Sequence, residues 1–280
     1  VRDGRRLYEV LRALTPRKPV VVVTPGRADI GAFAQSHTGN LIGAYARKLA
    51  ALRQAGAVIA ETSEAAADVV AALACGRIPP RASPGVAIVT GQAGPGLLMA
   101  DALKSAGATL PTLTGETAAT LRTLLPPLTY LDNPVDTGRP GPTFPQVLAA
   151  VEADPHVDAT LLFTLHEPAA VDPVAMMAAR ASRKPLAFGT GGVSSLIAPT
   201  LAALRRAGVP SYPSPERAAA AVRAWCEDAQ AQARLARGEA VRVAAAPPVA
   251  LPMTEAQGKA LLAAAGIPVP RGVVCATRAE

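Results

Sequence analysis

The chain has 280 residues, half of them apolar and 3% aromatic, with 28 basic and 21 acidic side chains and a formal net charge of +7. This length suffices for two domains with buried cores. The basic residues, mostly arginines, are scattered and lack interleaved aromatics, which argues against a nucleic-acid partner. No apolar run reaches the ~20 residues that a membrane span requires, which argues against a membrane protein.

The cysteines and the chain ends indicate the setting of the protein. Cys75, Cys226 and Cys275 are odd in number and far apart, as is typical of a reducing compartment, and we expect a cytoplasmic protein. The first residues lack the apolar segment of a signal peptide. There is no starting methionine, and the sequence stops at Glu280, soon after a predicted strand at 272–275. We therefore expect a fragment of a longer protein.

The first third of the chain alternates strand and helix signals. The predicted elements are helix 4–15, strand 20–24, loop 31–40, helix 41–55, strand 57–60 and a helix that Thr62 or Ser63 caps and that reaches residue 74. The apolar run at 20–24 is typical of a parallel strand buried on both faces. The proline-rich segment 76–84 is predicted to be a linker.

A second and longer cycle follows. Its predicted strands lie at 86–89, 108–112, 158–164, 185–189 and 209–212, and its predicted helices at 97–106, 115–125, 143–153, 171–182, 194–207 and 215–237. Strands separated by helices form right-handed crossovers and a parallel sheet. The fold class is therefore α/β, and five strands suit a flavodoxin-like doubly wound domain.

The last part of the chain changes in composition. Residues 244–252 are rich in alanine, proline and valine and are predicted to be an extended linker. Thr254 then caps a short helix at 255–265, which Gly266 ends. This helix is interpreted as the beginning of a third domain.

A self-comparison reveals an internal repeat. Residues 17–20 recur at 183–186, an offset of 183 − 17 = 166, and residues 49–56 recur at 201–208, an offset of 201 − 49 = 152. The two copies therefore differ by 166 − 152 = 14 residues, which the first copy carries between its strand and its long helix. The second copy makes the same connection with a few glycine-rich residues, so the fold does not need the insertion.

The insertion contains His37, one of three histidines in the chain, flanked by Ser36, Thr38 and Gly39. Loops at the carboxyl ends of parallel strands carry the chemistry of such sheets. Hydroxyls and flexible backbone amides suit phosphate oxygens, and a neutral imidazole can attack phosphorus. His37 is therefore the candidate catalytic residue, with Ser36, Thr38 and Gly39 as phosphate-binding residues. No second ligand stands nearby at metal spacing, so no metal site is predicted.

Other loop motifs support weaker interpretations. Gly94 and Gly96 belong to a glycine-rich turn, 91–96, between a strand and a helix, where free amides and the helix dipole favour an anion. A tight turn without a ligand explains the same spacing equally well. Residues 189–192 repeat the pattern with less specificity, and residues 133–136 are interpreted as a turn with Asx capping.

The remaining two histidines, His156 and His166, lie beside predicted strand ends. His156 follows a proline in a helix-to-strand turn and His166 ends a strand, and both are interpreted as structural.

Ordered motifs along the chain resemble the NDP-forming acyl-CoA synthetases, the ADP-forming acetate–CoA ligases related to succinyl-CoA synthetase. They are Arg17-Lys18-Pro19-Val20, Ser36-His37-Thr38-Gly39, Val89-Thr90-Gly91-Gln92-Ala93-Gly94-Pro95-Gly96-Leu97, Asn133-Pro134-Val135-Asp136 and the segment from Met253 to Pro270. The resemblance covers nearly the whole chain.

The resemblance implies a domain order and a mechanism. It implies the second half of a first ligase domain at 1–75, a linker at 76–84, a second flavodoxin-like ligase domain at 85–237, a linker at 238–252 and the beginning of an ATP-grasp domain at 253–280. It also implies that His37 becomes phosphorylated by acyl phosphate and passes the phosphoryl group to ADP. The implied small-molecule partners are acyl-CoA, phosphate and ADP. Coenzyme A and ATP or ADP with Mg would be substrates of the full-length enzyme, bound mainly outside this fragment.

Two departures qualify the resemblance. The family's acidic residue that orients the histidine would fall before Val1, and so would the other phosphate-binding helix. We therefore expect the fragment to be inactive alone and to act as a homo-oligomer or with the missing domains. Two alternatives remain: a ligase-like regulatory scaffold of a protein acetyltransferase, and an anion- or nucleotide-binding module without chemistry.

Overall fold

A computed structural model describes residues 3–26, 45–127, 129–238 and 253–272. By its contacts the chain divides into two compact units, Val1–Glu239 and Ala240–Glu280. Within the described ranges, no helix combines the length and apolarity that crossing a bilayer requires.

The first unit begins with a small α/β module. Its elements are α1 (Gly4–Leu14), β1 (Val21–Val23), α2 (Tyr45–Gln54), β2 (Val58–Ala60) and α3 (Ser63–Cys75), and β1 pairs with β2 in parallel. The side chain of Thr62 accepts a hydrogen bond from the Ala65 amide, 3.1 Å away, and so caps α3 as the sequence predicts.

The second module of the first unit contains a five-stranded parallel sheet. Its elements are β3 (Val86–Thr90), α4 (Ala93–Ser105), α5 (Gly115–Leu124), β4 (Val135–Asp136), α6 (Phe144–Ala153), β5 (Ala159–Leu165), α7 (Pro173–Ala178), β6 (Leu186–Gly191), α8 (Ser194–Arg206), β7 (Ser211–Tyr212) and α9 (Pro215–Ala236). The strand order is β4-β3-β5-β6-β7. The second strand thus lies outside the first, as in flavodoxin-like sheets. The predicted α/β class with a parallel sheet is confirmed.

The identity of the second strand was predicted wrongly. Residues 108–112 form no strand, and Thr109 makes only an isolated bridge to Gly85. The edge strand is β4, inside the segment 133–136 that was interpreted as a turn. The Asn133 side chain explains the error, because its amide accepts from the Ile88 N–H and donates to the Val86 carbonyl, replacing backbone pairing beside β3. A two-residue strand leaves too short a pattern to recognise.

The glycine-rich turn also differs from its prediction. Helix α4 begins at Ala93, four residues before the predicted 97, so Gly94 and Gly96 lie in its first turn. Pro95 tolerates this position because the first helical amides have no partner inside the helix. Helix α7 also differs, since it is shorter than the helix predicted at 171–182.

The strand register confirms the 14-residue insertion in the first copy of the repeat. Val21 of β1 pairs with Val58 of β2, 58 − 21 = 37 residues later. Phe188 of β6 pairs with Ser211 of β7, 211 − 188 = 23 residues later. The difference, 37 − 23 = 14, equals the insertion derived from the sequence. Gly56 and Gly208 close the helix of each copy with a positive φ, 88° and 79°.

Alternate residues of each strand face opposite cores. On β3, Val86 and Ile88 join one core with α3, α4 and α9, whereas Ala87 and Val89 join the other with α5, α6 and α8. Helix α9 packs on both α3 and α4, and its alanines allow this close approach. The first module is therefore held to the second through α9.

Polar contacts reinforce this junction. Arg77 forms two 2.8 Å bonds with Asp228 of α9 and also donates to the carbonyls of Thr15 and Pro16. The proline-rich segment 76–84, predicted to be a linker, thus contains the side chain that ties the two modules together.

The second unit is described at residues 253–272. It contains α10 (Glu255–Ala264), which begins with a capping box of Thr254 and Gln257. This confirms the predicted cap and helix. The predicted strand at 272–275 lies almost wholly outside the described residues.

Candidate functional site

The carboxyl edge of the five-stranded sheet is the candidate site. The loops that follow β3, β4, β5 and β6 meet there because these parallel strands are neighbours. The Gly91 amide donates to the Phe163 carbonyl of β5, 3.1 Å away, and the Thr137 amide donates to the Thr90 carbonyl, 2.9 Å away. The ends of three strands are thereby fixed relative to one another.

The glycines of the turn have different structural roles. A Cβ on Gly91 would lie 2.7 Å from Cδ of Pro140, and one on Gly96 would lie 2.9 Å from Cγ2 of Thr90, so both positions require a close backbone approach. A Cβ on Gly94 would meet nothing within 4 Å. Gly94 is also exposed, so its surroundings leave room for a ligand.

The start of α4 has free hydrogen-bond donors. Gln92 is the N-cap residue, but its side chain makes no hydrogen bond to the helix amides. Within the described ranges no side chain caps the first helical N–H groups, and the positive end of the helix dipole lies beside them. The arrangement suits an anion such as phosphate.

The Gln92 side chain instead connects α4 to the loop after β5. Its Oε1 accepts from the Leu165 amide at 3.0 Å, and its Nε2 donates to Glu167 at 3.3 Å. Glu167 lies 4.0 Å from the guanidinium of Arg139, which follows β4 and whose side chain is 83% exposed. An exposed cation therefore stands among the loops beside the glycine turn.

Sequence reasoning assigned no role to Gln92, Arg139 or Glu167. The signal that it overlooked is positional, because Arg139 and Glu167 are charged residues directly after two strands of one sheet. Finding them together required the correct assignment of β4.

The loop after β4 keeps part of its predicted turn. The Asp136 carboxylate accepts from the Gly138 amide at 2.9 Å, which is Asx capping as expected. Asp132 meanwhile accepts from the amide of Leu113. These side chains hold the segment in place and do not point to chemistry.

A small cavity of about 160 Å³ lies at the same edge, between the ends of β5 and β6. His166, Glu167 and Asp172 line its mouth, and the buried Thr164 and Thr190 line its interior. The Thr164 hydroxyl has no hydrogen-bond partner in the part of the chain that the structure describes. Because a buried hydroxyl without a partner is unfavourable, a polar group in the cavity would be stabilised.

The second glycine segment, 189–192, is mainly structural. Gly189 lies within β6, where a Cβ would come within 2.8 Å of the Phe163 ring and 3.0 Å of Ala218. Gly192 has a φ of 149°, and a Cβ there would lie 3.1 Å from Ile197. The predicted resemblance to an anion turn is thus explained by packing.

The structure places two of the histidines. His156 lies at the turn before β5, where its Nδ1 is 3.1 Å from the Thr112 carbonyl, and its side chain is 56% exposed. The backbone of His166 donates to the Gly191 carbonyl. In the described part of the chain, no cluster of three or more histidine, cysteine or acidic residues has the arrangement of a metal site.

The predicted phosphohistidine loop, with Ser36, His37, Thr38 and Gly39, lies outside the described residues. The structure describes the strand before it and the helix after it. Of the predicted site residues, it therefore places only Gly94 and Gly96.

Comparison with known proteins links both modules to one family. Residues 1–73 match the family of succinyl-CoA ligase like flavodoxin domains, and residues 86–208 match the ligase-CoA domain family. The alpha subunit of acetate–CoA ligase [ADP-forming] II of Pyrococcus furiosus is 31% identical over 242 residues, which is 82% of this chain and 52% of that protein. The chain belongs to the NDP-forming acyl-CoA synthetase family.

Further relatives of this synthetase family agree. Acetate–CoA ligase [ADP-forming] I of Archaeoglobus fulgidus is 32% identical over 226 residues, 79% of this chain and 32% of that protein. A solved dinucleotide forming acetyl-coenzyme A synthetase 1 of Ca. Korarchaeum cryptofilum, in complex with phosphate and ADP, superposes with a TM-score of 0.76 at 26% identity, covering 85% of this chain and 53% of that one.

The chain spans about half the length of the Pyrococcus subunit and of the solved synthetase. The two family matches fall on the two modules of the first unit, and neither reaches α10.

Proposed function

We propose that the chain supplies the phosphohistidine and ligase domains of an acyl-CoA synthetase. The enzyme would convert acyl-CoA, phosphate and ADP into a carboxylic acid, coenzyme A and ATP. The observation that carries the proposal is the 14-residue insertion, seen in both sequence and strand register, which adds His37 to a connection that the fold makes without it. Membership of the family supports the same role.

The proposed reaction has three steps. Phosphate attacks the acyl-CoA thioester, forming acyl phosphate and releasing coenzyme A. A ring nitrogen of His37 then attacks the phosphorus of acyl phosphate, and the carboxylic acid leaves as carboxylate. Finally, the terminal phosphate oxygen of ADP attacks phosphohistidine, which yields ATP and returns the free imidazole.

The carboxyl edge of the sheet fits a role in holding phosphate. The uncapped amides at Ala93 and Gly94, and the exposed guanidinium of Arg139, supply donors and positive charge. Ser36, Thr38 and Gly39 would hold the phosphoryl group on the histidine side.

We also propose that the cavity of about 160 Å³ accepts a short acyl group, whose carbonyl oxygen would accept a hydrogen bond from the Thr164 hydroxyl. Its volume admits a group of a few carbons and excludes a nucleotide or coenzyme A. Turnover of a series of acyl-CoA thioesters by the full-length enzyme should then fall sharply with chain length.

The flanking parts complete the proposal. Residues 253–280 would open an ATP-grasp domain, after a linker at 238–252, and ADP or ATP with Mg and coenzyme A would be bound mainly by parts beyond this chain. The 280-residue chain alone should form no ATP and should act as a homo-oligomer or with those parts.

The decisive experiment uses the full-length protein that contains this chain. Incubation with γ-labelled ATP should give acid-labile, alkali-stable phosphate on the protein, and His37→Asn should abolish it. His156→Asn, at an exposed histidine away from the site, is the matched control and should label normally. Undiminished labelling of His37→Asn would refute the phosphohistidine. Absence of labelling in the unaltered protein would favour the regulatory scaffold.

A further inference from the structure

A second and larger cavity, of about 410 Å³, lies away from the candidate site. It is bounded by the end of α1, the segment 77–80 and the last turns of α9, and its lining consists of Arg12, Pro16, Arg77, Ile78, Pro79, Pro80, Gln232, Leu235 and Ala236. Helix α9 starts after the carboxyl end of β7 and runs back along the sheet. The Arg81 amide, ahead of β3, donates to the Ala229 carbonyl, so this cavity lies at the amino edge.

The polar centre of this cavity is Gln232. The residue is only 6% exposed, yet among the described residues neither its side-chain nitrogen nor its side-chain oxygen has a hydrogen-bond partner. A buried carboxamide that neither donates nor accepts is unusual in a folded protein. It presents an adjacent donor and acceptor that are unused.

The two arginines of the cavity differ in availability. All the hydrogen bonds of Arg77 go to Asp228 and to two backbone carbonyls, so this guanidinium is already neutralised. Arg12 donates only to the Tyr8 hydroxyl, at 3.3 Å, and no carboxylate pairs with it in the part of the chain that the structure describes. The cavity therefore has one cation available for an anion.

We propose that this cavity binds an adenine nucleotide. Adenine presents an acceptor and a donor side by side, the edge that a glutamine amide pairs with, whereas guanine presents two acceptors there. Rotation about the last side-chain torsion of Gln232 would bring its carboxamide N–H and C=O groups to that edge of the base. Proline and leucine side chains cover the base faces, Arg12 takes the phosphate, and the volume suits such a ligand.

An extended peptide is the competing occupant. Its backbone also offers a donor and an acceptor, but it has no anion for Arg12, and for this reason the nucleotide is favoured. The site is distinct from the proposed catalytic edge, so AMP, which the proposed reaction neither consumes nor forms, is the appropriate probe.

The test is calorimetric titration of the 280-residue chain with AMP. We expect saturable binding that Gln232→Leu weakens at least about tenfold, since the variant removes both hydrogen bonds to the base. Gln230→Leu, a half-buried glutamine on the same helix outside the cavity, is the matched control and should bind AMP normally. Arg12→Gln should weaken the binding of AMP and leave that of adenosine unaffected. Purine riboside monophosphate lacks the amino group but keeps the ring acceptor, so it should bind more weakly than AMP.

The folding of Gln232→Leu is checked by its thermal melt, which should be no lower than that of the unaltered chain because an unpartnered amide is replaced by an apolar group. Absence of AMP binding at millimolar concentration, or equal AMP affinity in Gln232→Leu, would overturn the site. The cavity would instead be a peptide site if an extended alanine- and proline-rich peptide displaced AMP and Arg12→Gln bound AMP normally. His37→Asn should leave AMP binding unchanged, which separates this proposal from the proposed reaction.

Discussion

The Arg77–Asp228 pair offers a direct test of how the two modules are joined. Asp228 has a side chain only 1% exposed, and the Arg77 side chain is 24% exposed. Arg77→Met keeps most of the apolar stem but leaves the buried carboxylate without its partner. Such a loss costs about 3–5 kcal/mol. This is a fifth or more of the roughly 5–15 kcal/mol that stabilises a typical domain.

Replacing both partners should behave differently. The double variant Arg77→Met with Asp228→Leu removes the charge together with its partner, so most of the lost free energy of unfolding should return. The remaining difference is that of the bonds from Arg77 to the Thr15 and Pro16 carbonyls. The control is Arg81→Met, at an arginine side chain 56% exposed. Its partner Asp158 is 10% exposed but keeps the 2.8 Å bond from the Gly85 amide, so this loss should be about 0–1 kcal/mol.

The assay is urea unfolding followed by the fluorescence of Trp225, the single tryptophan, which is buried in α9 one turn before Asp228. Its midpoint should fall clearly for Arg77→Met and little for Arg81→Met. If Arg77→Met costs less than about 1 kcal/mol, or if the double variant is as unstable as the single one, the buried-pair reasoning is wrong.

Three further predictions follow from local geometry. Gly96→Ala should destabilise the chain by about 1–3 kcal/mol because the new methyl group meets the end of β3. Gly94→Ala should be neutral or slightly stabilising. Thermal melts compare the two variants, and an equal loss of stability would contradict the packing argument. Burial would raise the pKa of the Asp154 carboxyl, but hydrogen bonds, chiefly from the Thr114 and His156 amides, outweigh it and hold the pKa below its usual value. The stabilisation by Asp154 is thus complete above its unfolded pKa of about 4 and is lost as the pH falls through the lower folded pKa. In urea unfolding, Asp154→Asn should therefore cost about 1–3 kcal/mol at pH 7 and less near pH 3. Burial raises the pKa of the Cys226 thiol to about 12, so peptide mapping after alkylation at neutral pH should find exposed Cys75 modified and Cys226 protected until the chain unfolds; early labelling of Cys226 would contradict its burial.

The sequence alone determined the features that depend on local pattern. The valine run at β1, the helix cap at Thr62 and the capping box at Thr254 are set by residues within a few positions of each other, so they were predicted with nearly correct bounds. The repeat likewise lies in the sequence itself. Its 14-residue difference predicted the difference in strand register without any coordinates.

Tertiary structure decided what depends on residues far apart in the chain. Two residues form β4 because β3 offers an edge and Asn133 completes the pairing, and nothing local distinguishes this segment from a turn. The contact between Gln92 and Glu167, and the unpartnered amide of Gln232, depend on how elements pack, since the hydrogen bonds that are made or missing join distant residues. The local sequence pattern thus determines most helices and strands of this protein, whereas burial and long-range hydrogen bonds determine the roles of individual side chains.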